Sequence, residues 1–473
     1  MPPDAGLPAR IVVAGSGIVA LSAALMLRRI VPGAAILLIE TPFDPDALTD
    51  RTSRLWPIAD SFHTRIGLDP AALPRDTAAS VHSADRFERW GSDPAWLLPT
   101  DAQAIDGTLF QHWLRAGAGP LAALAPEAAL AQSDLVVRTL PHLRIDPASY
   151  RALLSRGIDG ARIARRALAD FGVERAASGS VAAVIGGGDR IEADWFVDAT
   201  GAAARIAGLV APAHATVPTA CDLIAYGRDE APRGSAIDRW SGTPGGWIAR
   251  IPGPRASTTM MGFASALTDP ADAARRFRTE TGAAPQHVAS FTMTRRDSWS
   301  GNVLALGEAA VGIDVIGGLG LALTHSAMVH LAELLPGRVP APIETAEFNR
   351  RTRAEFDAAA DYVALHYRAP RDGSFWERAR TLPVSDDLDR LLDQFARHAR
   401  IPHRDDNPVP DATWRVLLAG IGVLPRHADA ITRSQPLVRS QHVLAQAQQR
   451  VDLARRDATP YRAWHDLQLG RSA

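Results

Sequence analysis

The sequence predicts an α/β chain organised on a dinucleotide-binding βαβ unit, with a substrate-binding sheet and a C-terminal helical region. Three observations carry this. Residues 11–40 read as an apolar strand, a glycine turn, a helix and a second apolar strand ending in an acid. Strand-and-turn patterns return at Trp195–Gly201 and at Asn302–Gly320. Beyond Pro342, apolar residues recur at three- and four-residue spacing, as in Phe348, Phe356, Tyr362 and Val363, which is the helical period.

The first unit sets the pattern. Ile11-Val12-Val13-Ala14 is the strand, and Gly15-Ser16-Gly17-Ile18-Val19-Ala20 the turn. Gly15 allows the tight turn, Gly17 lets backbone approach a pyrophosphate, and Ala20 lets helix pack on strand. The helix N-terminus offers free N–H groups and a positive dipole to phosphates. Glu40, ending the second strand, is placed to accept ribose hydroxyls.

Residues 41–75 read as loop, punctuated by Pro42, Pro45, Pro57 and Pro70 around a short amphipathic stretch at Phe62–Ile66. A strand is expected from Val81 to Trp90, helices within 101–133, and a helix from Tyr150 to Phe171. Ser178–Ile185 and Arg190–Val197 read as a hairpin around Gly186-Gly187-Gly188-Asp189. That glycine run imitates a fingerprint, but a strand follows it, so no separate NAD(P)H site is expected. The buried strand ending in Ala199-Thr200-Gly201 is where flavoproteins pass the nucleotide closely, and residues 219–264 are strand-rich.

The second anchor runs from Asn302 through Gly307-Glu308 to Gly317-Gly318-Leu319-Gly320 and a helix to about Leu335. In flavoproteins the acid after the first glycine holds the ribityl chain. The glycine-rich turn and helix N-terminus hold the flavin's pyrimidine edge. Paired with the first fingerprint, this argues for FAD over NAD. Pro336, Pro340 and Pro342 mark a linker, and helices are expected at Thr345–Tyr367, Ser385–Arg400, Asp411–Gly420 and Leu437–Arg456. The expected organisation is an FAD-binding module over 1–340, with interleaved substrate-binding segments at about 75–145 and 219–295. A helical substrate subdomain follows over 341–473.

Composition narrows the partners. A formal net charge of −1 gives no field to draw nucleic acid or an acidic membrane. Cys221 is the lone cysteine, which excludes an internal disulfide and a cysteine metal cluster, and no metal is expected. The N-terminus lacks the order of a signal peptide, and no apolar run reaches the ~18–20 residues of a membrane span, so a cytoplasmic location is expected. All 51 Lys+Arg residues are arginine. No step here can use a lysine amine.

From about Ile11 to Leu467 the chain resembles the flavin-dependent tryptophan halogenase family. The resemblance rests on the fingerprint, Phe62-His63 through Gly67-Leu68-Asp69, Arg86–Gly91, Ala199-Thr200-Gly201, Gly246-Trp247-Ile248-Ala249-Arg250-Ile251-Pro252 and the Gly307–Gly320 turn. Leu365-His366-Tyr367-Arg368, Phe375-Trp376 and Gly422–Arg426 match as well. It implies reduced FAD supplied by a separate flavin reductase, and oxygen and halide yielding hypohalous acid. That acid passes to a lysine beside a small aromatic substrate of indole or phenol type, a nearby glutamate assisting. It implies FAD contacts at Gly15, Ser16, Gly17, Ala20, Glu40, Thr200, Gly201, Gly307, Glu308 and Gly317 to Gly320. Homodimers are common for such folds.

The sequence departs from the family where the halogen is handled. The family's lysine position, eight residues before Trp90, is His82. The late Glu-Ser-Thr-Gly is Gly317-Gly318-Leu319-Gly320, the second tryptophan of Trp-x-Trp is Ala249, and the flavin strap reads Thr52-Ser53-Arg54-Leu55. Imidazole can donate a hydrogen bond to hypohalous acid when protonated. His82 is therefore the candidate catalytic group, with a structural core histidine as its alternative. Asp314 keeps a carboxylate near the turn, with a local turn or cap role as its alternative. Three functions follow: a halogenase-like oxidoreductase, a flavin monooxygenase or oxidase on the same scaffold, or a degenerate FAD- or ligand-binding protein.

Overall fold

In the computed structural model, Ile11 to Ala14 are buried almost completely, as a strand covered on both faces must be. The structure describes residues 6–468 except 52, 92, 118, 138–141, 214, 230–233, 254 and 335–340. The chain divides into two compact units. One comprises 1–77, 145–217 and 291–357, and the other 78–144, 218–290 and 358–473. The expected linker at Pro336 and Pro340 lies outside the described residues.

The first unit is α/β. Its six-stranded sheet runs in the order Trp299–Ser300, Val303–Ala305, Trp195–Ala199, Arg10–Gly15, Ala35–Glu40, Ala164–Ala167. All neighbours are parallel except the first pair. The chain leaves Arg10–Gly15 for Ala35–Glu40 on one side and returns as Trp195–Ala199 on the other. This makes a topological switch point, where open α/β sheets place their ligands. Register fixes the detail: Gly15 stands opposite Ala199, so the glycine turn and Thr200-Gly201 emerge side by side.

The second unit holds a seven-stranded sheet in the order His287–Ser290, Leu223–Asp229, Ser257–Phe263, Gly246–Ile251, Ile237–Thr243, Ala84–Glu88, Ala95–Pro99. Only Ile237–Thr243 and Ala84–Glu88 pair in parallel. Aromatic residues pack within this unit: Phe87 stacks on Trp96 at 4.5 Å and lies edge-on to Trp90. The indole N–H groups of Trp90 and Trp376 donate to His366 O and Thr243 O, both at 2.7 Å. Buried indoles with satisfied N–H groups are core packing, so these tryptophans do not line an open substrate cavity. Helices at Asp386–His398, Asp411–Gly420 and Leu437–Arg456 are among those of this unit.

Four local expectations are corrected. The helix expected over Tyr150–Phe171 runs Pro147–Gly160, and Ala164–Ala167 then pairs with Leu37–Glu40 as an edge strand. Residues 41–75 are not all loop, since Ile58–Ile66 is a helix ended by Gly67 at φ 82°. The strand expected at Val81–Trp90 breaks at His82-Ser83, whose N–H groups turn to His142 O and Ala236 O. The hairpin's second strand is Asp189–Glu192, and Trp195–Ala199 belongs to the parallel sheet instead.

Candidate functional site

The first unit's site is built at the switch point. Gly15 adopts φ 143°, and a Cβ there would lie 2.1 Å from Ala199 O; Gly17 adopts φ 83°. Only glycine fits such positions. Ser16 precedes the Gly17–Ile30 helix but does not cap it: its Oγ donates to Thr41 O. The first-turn N–H groups are therefore left for another acceptor. Ala20 is fully buried. Glu40 Oε1 accepts from Arg165 Nη2 at 2.5 Å and Nε at 3.2 Å.

Thr200 is held by the buried Asp198, whose Oδ1 accepts from Thr200 N and Oγ1. Asp198 Oδ2 accepts from Ile206 N and Ala207 N, so this acid fixes the whole Thr200–Ala207 turn. Gly201 takes φ 73° and Gly307 φ 59°, and a Cβ on Gly307 would meet Val19 at 2.8 Å. Gly317 and Gly318 take φ 76° and 64° and feed the Leu319–Glu333 helix. Trp56 Nε1 donates to Gly317 O at 3.0 Å. Leu319 is buried, and a Cβ on Gly320 would sit 3.0 Å from Thr49 Oγ1. Asp314 is engaged locally, its Oδ1 accepting from Ile316 N at 3.0 Å.

Asp50 was not singled out by the sequence. Its Oδ1 accepts from Ile18 N at 2.7 Å, at the start of the Gly17–Ile30 helix, and Arg151 Nη1 lies 3.5 Å away. Neighbouring Thr49 N donates to Glu308 Oε1 at 2.6 Å. Desolvation raises the carboxyls of Asp50 and Glu308 above the usual range, and for Glu308 the Asp50 charge adds to it. No sequence motif marks Asp50. Its signal is a helix start that Ser16 does not cap, which calls for an anion from elsewhere.

The glycine cradle, the open helix start and the shared pocket formed by Ser16, Thr41, Asp44, Thr200, Gly201 and Glu308 fit FAD in donor set and backbone approach. One N–H that phosphate would take is engaged by Asp50.

A second cluster lies in the second unit. His82 is 1% exposed. Its Nε2 is 3.3 Å from Asp85 Oδ1 and 3.4 Å from Asp238 Oδ2. Arg144, also buried, pairs with Asp238 Oδ1, and its Nη2 donates to Val81 O at 2.9 Å. Trp240 Nε1 donates to Asp85 Oδ1 at 3.1 Å. His82 Nδ1 is buried without a hydrogen-bond partner among the described residues. His82, Asp85 and Asp238 have the spacing of a metal-ligand group, but Arg144 already supplies a cation to the same carboxylate. The structure thus brings His82 together with residues the sequence did not flag. Asp314 lies in the other unit.

A parallel sheet with a glycine fingerprint, an Ala-Thr-Gly strand and a late glycine turn at its switch point defines a two-dinucleotide-domain flavoprotein of the FAD-binding kind. The chain belongs to the tryptophan halogenase family, whose model matches residues 10–436. Tryptophan 7-halogenase RebH of Lentzea aerocolonigenes is 26% identical over 147 residues, which is 28% of either chain; the match thus spans under a third of that relative's length. Two solved structures share the fold over nearly the full length. They are Xcc4156, a flavin-dependent halogenase from Xanthomonas campestris (24% identity, TM-score 0.88, covering 97% of this chain and 98% of that one), and BrvH, a flavin-dependent halogenase from Brevundimonas sp. BAL3 (22%, 0.87, 98% and 99%). Among the described residues no helix is long and apolar enough to cross a membrane.

Proposed function

We propose that the chain is an FAD-dependent halogenase-type enzyme that acts on a small aromatic substrate of indole or phenol type, with reduced FAD from a separate flavin reductase. The observation that supports it is His82: a buried imidazole at the family's lysine position, with one nitrogen between two carboxylates and the other without a partner. When bound and reduced, FAD supplies the two electrons that, with oxygen, turn halide into hypohalous acid. Gly15, Gly17 and the start of the Gly17–Ile30 helix bind its pyrophosphate. Glu40 and Glu308 take ribose and ribityl hydroxyls, and Gly317–Gly320 receives the flavin's pyrimidine edge.

His82 is the acid. Arg144 neutralises one carboxylate of the cluster, Asp238. When protonated, the imidazole donates from both nitrogens: Nε2–H is held by Asp85 and Asp238, which fixes the ring, and Nδ1–H is the donor left for hypohalous acid. The donated hydrogen bond draws electron density from oxygen and leaves the halogen electrophilic toward the aromatic carbon. Asp314 positions the glycine turn.

A second reading, hydroxylation on the same scaffold, is favoured by the Gly317–Gly320 turn, which carries none of the family's hydroxyls. One experiment separates the two. The purified protein receives reduced FAD, oxygen, and bromide or chloride with indole and phenol substrates, and products are read by mass spectrometry. A halogen isotope pattern is expected, whereas a gain of one oxygen would establish hydroxylation. Absence of FAD affinity would end both readings. His82→Ala should lower turnover at least 100-fold, the lower end of acid catalysis, and unchanged turnover would remove His82 from the chemistry.

A further inference from the structure

The seven-stranded sheet of the second unit carries three arginines in one cross-strand row. Arg86 stands opposite Arg239, and Arg239 opposite Arg250. The row continues through Thr259 to Gly227. Like charges directly opposite on a sheet destabilise it, so such a row needs counter-charge. The protein supplies little. Arg86 Nε is 2.8 Å from Glu88 Oε1, and the same carboxylate provides the field that Arg239 feels. Arg250 has no hydrogen bond or ion pair among the described residues, and neither has Arg462, which faces the same space.

That space is a groove of about 920 Å³ lined by Arg239, Arg250, Arg462 and Thr259, among others. Among its described lining residues four arginines outnumber two acids, Asp229 and Glu280, and Arg228 and Asp229 already have contacts of their own. The volume lies within the ~300–1,000 Å³ of small-molecule sites and exceeds what a bare inorganic anion needs. Strands ~4.8 Å apart set the Arg239 and Arg250 stems side by side. Two forks so placed can grip one tetrahedral oxyanion from two sides, while a planar carboxylate satisfies a single fork. Two negative charges on one group also answer two unpaired guanidinium groups.

We propose that this groove binds a phosphate monoester of a small organic molecule, at a site sharing no residue with the flavin cradle. Arg239 and Arg250 are the recognition element, and Thr259 Oγ1 is placed to add a hydroxyl donor.

Calorimetric titration of the full chain, with FAD present so that the cradle's own phosphate position is filled, tests this. Phenyl phosphate, inorganic phosphate and benzoate are compared, and each titration is repeated without FAD. Phenyl phosphate is expected to bind at least tenfold tighter than either of the others. The Arg239→Gln/Arg250→Gln double variant should lose at least 30-fold in that affinity, with FAD affinity unchanged and a melting temperature no lower than that of wild type. Arg462→Gln, a single exposed change, should lose at least threefold. Three results would each overturn the proposal: no heat from phenyl phosphate at millimolar concentration, equal binding by the double variant, or equal binding of benzoate. Inorganic phosphate binding as tightly as phenyl phosphate would overturn the ester and leave an adventitious ion only.

Discussion

Asp50→Asn should tighten FAD binding. The Asp50 carboxylate takes the Ile18 N–H at 2.7 Å and lies 2.2 Å from where a Cβ on Gly17 would stand, at the helix start that receives phosphate. FAD must displace it. A hydrogen bond to a charged acceptor contributes about 1.5–3 kcal/mol and one to a neutral acceptor about 0.5–1.5, so the amide competes less well by roughly 1–2 kcal/mol. That is roughly a 5- to 30-fold lower Kd at ~1.4 kcal/mol per decade. Arg151, 3.5 Å from the same carboxylate, loses its anionic partner and is freed to face the phosphates, which acts in the same direction. Titration of FAD fluorescence against wild type and variant at neutral pH reads the ratio directly. Equal or weaker FAD binding by Asp50→Asn, with the melting temperature unchanged, would refute the competition.

The remaining predictions concern the same scaffold. Burial lowers the His63 imidazole from 6.5 to about 4, and the ring is neutral beside Tyr150 Oη at 2.8 Å. Its folded value is depressed, so this contribution is complete above pH 6.5 and is lost as pH falls through 4. At ~1.4 kcal/mol per pH unit it amounts to about 3 kcal/mol, and denaturant melts of wild type and His63→Gln between pH 4 and 7 should differ in slope accordingly. Gly15→Ala should cost roughly 2–4 kcal/mol and abolish FAD binding, because its Cβ would meet Ala199 O at 2.1 Å; a folded variant with normal FAD affinity would contradict the cradle. Asp314→Ala should cost about 1 kcal/mol through the lost Ile316 contact and lower FAD affinity by loosening the turn, as thermal melts and FAD titration would report.

What the sequence made legible follows from how local each signal is. Gly15, Gly17, Gly317 and Gly318 could be read because a positive φ demands glycine wherever the chain later runs, and fixed spacing marks a turn. The apolar strands could be read because burial on both faces leaves continuous runs. The Ala164–Ala167 strand could not: it is a polar edge, exposed along much of its length, and its arginines imitate a helix. Asp50 escaped notice because its meaning depends on a helix start in another segment. The His82 cluster was half legible. His82 stands out by its place in a motif and Asp85 follows three residues on, but Arg144 and Asp238 are distant in the chain and joined to them by sheet pairing.

The two carboxylates around His82 should separate stability from chemistry. Asp238 carries the Arg144 ion pair, both side chains nearly without solvent. Asp238→Asn leaves a buried guanidinium short of an anion, a change that costs about 3–5 kcal/mol, so it should lower the melting temperature strongly. Asp85 differs in its partners. It accepts from Trp240 and faces His82, and Asp85→Asn can keep the Trp240 contact through its amide oxygen. The expected stability loss is therefore about 1 kcal/mol. The chemical effect runs the other way. Asp85→Asn takes away one of the two carboxylates that hold Nε2, so the ring is held less firmly toward its substrate. Turnover should then fall while the melting temperature nearly holds. A purely structural cluster would leave the turnover of Asp85→Asn at the wild-type value, and that outcome would return His82 to the core.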